Sequence, residues 1–294
     1  MPRGLAIAGD RVIVNDQGAQ RLSIWDLEGV HVGDIRMSEQ LARAIFGTDA
    51  GSIVGAVNRR PEDGVRMFEV AMFSAEGTET IRYGAPLPWP EDVFFEDGDF
   101  WLRFPRLAGV PSYAAAPSGE LYAAVGEEYQ VVAFDPSGSP LWALRVNRQR
   151  QTFDEAHKNA VLDSVRDVLL ARFGVQIAPG AIEWQEFLHT IGWLGVDGHG
   201  HLYVFPSTSW TMPTETFENV FRDLGPDELR VEVYSREGER LVAGTMTPPR
   251  AHVWNRAFNG GWSAASGDFV YSLRRNEQTE ELELVRYRLV EPFE

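Results

Sequence analysis

Apolar residues in this chain come in short runs cut by turn-forming residues. Between Tyr113 and Val146, four such runs are separated by Pro117-Ser118-Gly119, Gly126-Glu127-Glu128 and Asp135-Pro136-Ser137-Gly138. Runs this short, bounded by Gly, Pro, Asp and Ser, predict β-strands joined by tight reversals, because those residues supply the backbone angles a reversal needs. Four antiparallel strands in about 35 residues is the size of one β-propeller blade.

The third strand of this unit and the turn after it recur along the chain. The copies are Ser23-Ile-Trp25-Asp-Leu-Glu-Gly29, Ala71-Met-Phe73-Ser-Ala-Glu-Gly77, Val132-Ala-Phe134-Asp-Pro-Ser-Gly138 and Glu232-Val-Tyr234-Ser-Arg-Glu-Gly238. Each has an aromatic, then Asp or Ser, two further residues and Gly. The pattern predicts an aromatic packed between blades, Trp25 included, a turn capped by the Asp or Ser side chain, and a Gly at positive φ. A partial copy, Glu283-Leu-Val-Arg-Tyr287-Arg-Leu289, has the strand and the aromatic without the Gly turn. The first two strands recur as well: Leu5 to Val14 matches Leu194 to Val204 and Trp262 to Tyr271. The expected units are 2–37, 38–83, 106–147, 188–247 and 250–294, in one propeller domain over 1–294.

Insertions interrupt the repeat. The stretch 148–187 predicts a helix from Thr152 to Phe173, with Thr152 and Glu155 as a capping box, an apolar stripe and Gly174 as the stop. A smaller insertion at 206–228 predicts a helix from Thr214 to Leu224 inside a blade. A third runs from Pro86 to Pro105, with a hairpin expected at Glu96-Asp-Gly-Asp99.

The net charge of −16 changes the picture of partners. It argues against nucleic acid and against anionic lipid, both of which call for clustered Lys and Arg. There is no cysteine, which removes disulfides, thiolate metal sites and a cysteine nucleophile. No apolar run approaches the roughly 18–20 residues of a membrane helix.

The opening unit resembles an NHL-type repeat through Pro2-Arg-Gly-Leu-Ala-Ile7, Gly9-Asp10, Val12-Ile-Val14, Asp16, Gly18 and Arg21-Leu22. Nearly the whole chain is similar to bacterial six-bladed β-propeller proteins of the NHL-like and TolB-like group. The resemblance implies an all-β propeller of the six-bladed type, with about five blades visible here and helical insertions. A remaining blade and any export signal are expected outside this sequence, or five units close a smaller ring, or the Pro86–Pro105 insertion supplies extra strands. It also implies an interaction or ligand-binding module rather than an enzyme, and an exported location, periplasmic or lipid-anchored. The segment Met1 to Asp10 carries no signal-peptide pattern of its own.

Candidate chemistry is sparse. Trp89, Trp101, Trp184, Trp210 and Trp254 fall in or beside insertions, away from the repeating core positions. Insertions of a propeller gather over its faces, so these five tryptophans are the expected ligand-binding residues for a protein, peptide or glycan. His199-Gly-His201, with His189 nearby, reads as a polar hairpin turn, because no third metal ligand accompanies it. Glu91, Asp92, Glu96, Asp97 and Asp99 read as a solvated hairpin tip, since calcium needs several oxygens converging on one loop. Glu277, Glu280, Glu281 and Glu283 read the same way. No nucleophile elbow, P-loop or dinucleotide fingerprint is present. The alternative function is a metal-dependent hydrolase of the lactonase or esterase kind. The resemblance would give it calcium in the central channel, with Asn15, Asp16, Asn58 and Asp197 as ligands of the right type.

Overall fold

A computed structural model describes residues 2–16, 19–37, 41–59, 67–88, 92–96, 99–103, 113–124, 128–148, 152, 155, 158–159, 187, 190–206, 229–246, 264–266, 268–275 and 282–288. The first blade contains β1 (Pro2–Ala8), β2 (Arg11–Asp16), β3 (Arg21–Asp26) and β4 (His31–Arg36). The second contains β5 (Leu41–Gly47), β6 (Ile53–Arg59), β7 (Met67–Phe73) and β8 (Glu79–Pro88). A separate hairpin follows, β9 (Asp92–Glu96) with β10 (Asp99–Arg103). The third blade contains β11 (Tyr113–Ala115), β12 (Leu121–Ala124), β13 (Tyr129–Phe134) and β14 (Pro140–Val146). The fourth contains β15 (Ile191–Val196), β16 (Leu202–Pro206), β17 (Leu229–Tyr234) and β18 (Arg240–Met246). A three-stranded sheet closes the series: β19 (Ala264–Ser266), β20 (Phe269–Arg275) and β21 (Leu282–Arg288).

Every sheet is an antiparallel meander in chain order. The first strands lie inside, β19 beside β1, β1 beside β5, β5 beside β11 and β11 beside β15. This is a β-propeller. The six-bladed expectation is not met by the described residues, which form four complete blades and the sheet β19–β21. The Pro86–Pro105 insertion makes the hairpin predicted at Glu96–Asp99 and adds no blade, because β9 and β10 pair only with each other.

The repeated motif explains how the blades are built. Each third strand slips register at its aromatic, where Trp25 faces His31, Phe73 faces Glu79, Phe134 faces Pro140 and Tyr234 faces Arg240. The extra residue lies on the fourth strand, at Val32, Thr80, Leu141 and Leu241, and bends that strand as it leaves the turn. The turn is then held from within. Asp135 Oδ1 accepts from the Ser137 and Ser139 amides at 2.8 and 2.9 Å, and Ser235 Oγ accepts from Glu237 and Glu239 at 3.2 and 3.3 Å. The glycines complete it at φ of 80–87° for Gly29, Gly77, Gly138 and Gly238, a region where a side chain is strained.

Those turns lean on the outer strand of the preceding blade. Gly77 meets Ile35 and Met37, Gly138 meets Ile81 and the Arg82 carbonyl, and Gly238 lies against the Trp142 indole. The aromatics sink into the same junctions: Phe73, Phe134 and Tyr234 are 4, 7 and 2 % exposed. Trp25 corrects the expectation for its position. It is 36 % exposed, and Gly29 has no atom within 4 Å of where a side chain would begin, so among the described residues no outer strand covers this turn.

Of the helix expected from Thr152 to Phe173, Glu155, Lys158 and Asn159 are helical, Thr152 is not, and the rest lies outside the described residues. Thr152 makes a β-bridge to Phe187, and Glu155 pairs with Lys158 at 2.7 Å rather than completing a described capping box. The helix expected from Thr214 to Leu224 lies outside the described residues.

Candidate functional site

Alternating strand direction sorts every connection onto one of two faces. Hairpins joining first to second and third to fourth strands lie on one face and are short, at residues 9–10, 27–30, 48–52, 74–78, 116–120, 135–139, 197–201 and 235–239. Connections between second and third strands, and those between blades, leave the other face. The strand ends that flank the long gaps between described strands, at residues 60–66, 89–112, 147–190, 207–228 and 247–263, all lie at this face. In the fourth blade, for example, Ile191 pairs with Pro206 and Leu229 with Met246, so the ends flanking three connections lie together.

Of the five candidate tryptophans, one lies among the described residues. Trp101 lies in β10 opposite Phe94. Trp89, Trp184, Trp210 and Trp254 lie outside the described residues. The acidic residues of the hairpin are split, because Asp92 pairs with Arg103 at one end and Glu96 with Asp99 at the other. Glu91, Asp97, His189, Glu277, Glu280 and Glu281 lie outside the described residues, and Glu283 is in β21.

One polar cluster supports the insertion face from below. Glu232 stands in β17 two residues before the aromatic, where the other blades place Ser23, Ala71 and Val132. It is buried, and it faces the third blade. Its Oε2 accepts from the Tyr129 hydroxyl at 2.6 Å and the Tyr234 hydroxyl at 2.8 Å. Its Oε1 pairs with Arg148, and Arg240 stands 3.8 Å away. The Arg148 guanidinium lies 4.3 Å above the Tyr129 ring. Burial alone would raise the Glu232 carboxyl, but the two hydroxyls and the arginines outweigh it and hold it below its ordinary value. Burial first, and the adjoining carboxylate second, raise the Tyr129 hydroxyl and push Tyr234 up to about 12. Both oxygens of Glu232, ionised at neutral pH, are therefore engaged, which suits an anchor and not a proton-transfer group. Arg148 begins the 147–190 connection, so this anion fixes where the longest insertion leaves the ring.

The same junction is tied on the turn face. Glu120 is buried with Ser118 and Arg236 as partners, the Tyr122 hydroxyl donates to the Gly200 carbonyl at 3.3 Å, and Trp142 Nε1 donates to the Arg236 carbonyl at 2.9 Å. Sequence reading missed this set. The available signal was Glu232 itself, a carboxylate in a repeat position that is otherwise small or apolar.

The His199–His201 turn is also on the turn face. Buried Asp197 organises it: Oδ1 accepts from both histidine amides at 2.9 Å, and Oδ2 lies 2.9 Å from His201 Nδ1 and 3.3 Å from the Tyr203 hydroxyl. His199 Nε2 reaches across to Asp268 of the β19–β20 turn at 2.9 Å. That hydrogen bond is the main reason the Asp268 carboxyl lies below its ordinary value. The arrangement is a turn scaffold and a bridge between neighbouring sheets.

For a divalent ion, the four residues put forward do not converge. Asn15 and Asp16 end β2 on the insertion face, with Asn15 buried. Asp197 stands on the opposite face with both oxygens engaged. Asn58 is in β6, near the insertion face. Among the described residues, no three His, Cys, Asp or Glu side chains stand together as a metal site.

No protein-family model and no curated protein matches the chain. Solved structures do. One is U3-55K, at 12 % identity over 92 % of this chain and 59 % of that one, TM-score 0.38. Another is virginiamycin B lyase from Staphylococcus aureus, at 10 % identity over 97 % of this chain and 83 % of that one, TM-score 0.37. A third is a chain of the nidogen/laminin complex, at 13 % identity over 88 % of this chain and 67 % of that one, TM-score 0.40. The chain thus spans 59 % of the length of U3-55K. The propeller assignment stands on the sheets themselves, and no role passes from these proteins to this chain.

Proposed function

We propose that this chain is a non-enzymatic binding module that takes a protein, peptide or glycan ligand on its insertion face. The observation carrying this reading is the asymmetry of the connections. Among the described residues, the turn face carries short, internally hydrogen-bonded hairpins, whereas the strand ends that flank the long stretches between blades and strands lie at the other face. Five tryptophans sit in those connections, and large amphipathic rings favour recognition surfaces. The buried Glu232–Arg148 pair gives the longest connection a fixed base.

The test uses peptide and glycan arrays probed with the intact chain. A ligand found there is titrated by tryptophan fluorescence. Trp89→Ala, Trp101→Ala, Trp184→Ala, Trp210→Ala and Trp254→Ala are then compared with Glu76→Ala and Glu237→Ala on the turn face. The reading expects at least one tryptophan variant to weaken binding tenfold or more and the turn-face variants to leave it unchanged. Binding lost through the turn-face variants alone overturns it.

A further inference from the structure

Charge is spread unevenly over the blade junctions. Between the first and second blades, the Gly9 amide donates to the Thr48 carbonyl at 2.9 Å, and Gly77 packs on Ile35 and Met37. Between the second and third, the described hydrogen bonds are neutral. The Asp49 amide donates to the Pro117 carbonyl at 2.7 Å, the Tyr83 hydroxyl to the Gly119 carbonyl at 2.9 Å, and the Ala56 amide to the Tyr113 hydroxyl at 3.0 Å. Between the third and fourth, two carboxylates that are 1 and 8 % exposed face arginines across the junction. Glu120 of the third blade pairs with Arg236 of the fourth, and Glu232 of the fourth pairs with Arg148, just past β14 of the third. The pairs are reciprocal: each side gives one carboxylate and one arginine, and one pair lies at each face.

The groups around each carboxylate are donors. Glu232 faces the Tyr129 hydroxyl from β13, the Tyr234 hydroxyl on its own strand, Arg148 and, from β18, Arg240. Glu120 faces the Ser118 hydroxyl of its own turn and Arg236 of the next blade. Two more carboxylates, Glu237 and Asp197, face Tyr122 at the same junction, and after burial they raise its hydroxyl to about 12. Asp197 is held within its own turn. A guanidinium accepts no hydrogen bond, so a protonated carboxyl gives nothing back to its arginine and leaves that cation without a counter-charge. The Arg236 side chain is already 52 % exposed and that of Arg148 29 %, so a small parting of the blades hydrates both. Burial raises the Glu232 carboxyl, but the hydroxyls and arginines outweigh it and hold the folded value below the ordinary 4.5. Its hold is therefore complete above about pH 4.5 and is lost as pH falls through the folded value.

We infer that the junction between the third and fourth blades is an acid-opened hinge, closed at neutral pH by the Glu232–Arg148 and Glu120–Arg236 pairs and released when these carboxyls take up protons. The neutral contacts across the second–third junction have no such dependence, so the two junctions respond differently to the same acid. Arg148 begins the 147–190 connection, so release also frees the base of that connection. Opening does not require that the insertion face bind a ligand.

The chain has no cysteine, so introduced cysteines carry spin labels without competition. Leu141→Cys with Glu237→Cys flanks the contact between Trp142 and Gly238 at the third–fourth junction. Thr80→Cys with Ser137→Cys occupies the same repeat positions at the second–third junction, and all four residues are exposed. Between pH 7 and about pH 3.5, dipolar broadening of the 141/237 pair is expected to fall at least about twofold while that of the 80/137 pair holds, with the strand signal in circular dichroism retained. In the 141/237 background, Glu120→Gln with Glu232→Gln should show the narrowed spectrum already at pH 7 and no further change on acidification. Three outcomes overturn the inference: both pairs narrowing together, the 141/237 pair holding until the whole chain unfolds, or an acid response that the glutamine variant leaves at the same pH. The two label pairs in the otherwise native chain decide the matter if the glutamine variant does not fold.

Discussion

Two junctions of this ring, built from the same repeat, could hardly differ more. Between the third and fourth blades, Trp142 lies on Gly238, Tyr129 and Arg148 reach Glu232, and Arg236 reaches Glu120. Between β19–β21 and the first blade, Trp25 and Gly29 occupy matching repeat positions with no outer strand among the described residues laid over them. The aromatic-turn-glycine motif thus shapes a blade's leading edge but does not bury it. Burial comes from the outer strand of the neighbour.

The sharpest way to break this comparison is to remove the aromatic at each junction. Phe134→Ala deletes a buried ring that meets Tyr83 edge-on at 6.3 Å, and it should lower stability by about 3–5 kcal/mol. Trp25→Ala should cost less, about 1–2 kcal/mol, because its ring is 36 % exposed and packs edge-on against His31 of its own blade. Urea midpoints measure both, and equal losses would mean that the junction beside Trp25 is closed in solution.

Next comes Glu232→Gln, which removes the anion facing Arg148 and Arg240 while keeping the shape. A loss of about 2–3 kcal/mol at neutral pH is expected. Its pH dependence has a definite sign. The folded carboxyl lies below its unfolded value, so its contribution is complete above about pH 4.5 and disappears as pH falls through the folded value. The wild type should therefore lose stability on acidification more steeply than Glu232→Gln, and coincident acid limbs in thermal melts would count against the anchor.

The smallest contrast is between glycines. Gly29→Ala and Gly238→Ala both force a side chain into positive φ, worth about 1 kcal/mol. Only Gly238→Ala also presses a methyl to 3.0 Å from the Trp142 ring, which should add about 1 kcal/mol or more. Paired melting curves would show the difference, and its absence would mean that Trp142 yields freely.

By itself the sequence determined the strands, their hairpins and the turn chemistry. Those are local properties: Asp135 or Ser235 caps its own turn through nearby amides, and a glycine at positive φ is needed wherever the turn occurs. The grouping into antiparallel meanders followed from the same spacing. Tertiary structure alone decided what lies between blades. Glu232 reads as an unremarkable strand acid until Tyr129, 103 residues away, donates to it. Trp25 reads as core until the sheets are assembled and, among the described residues, no outer strand covers it. Asp197 belongs to a candidate ion site on paper, but strand direction sends it to the face opposite Asn15 and Asp16. Each of these depends on contacts between residues far apart in sequence, and a repeat pattern with a local period does not encode which copy meets which neighbour.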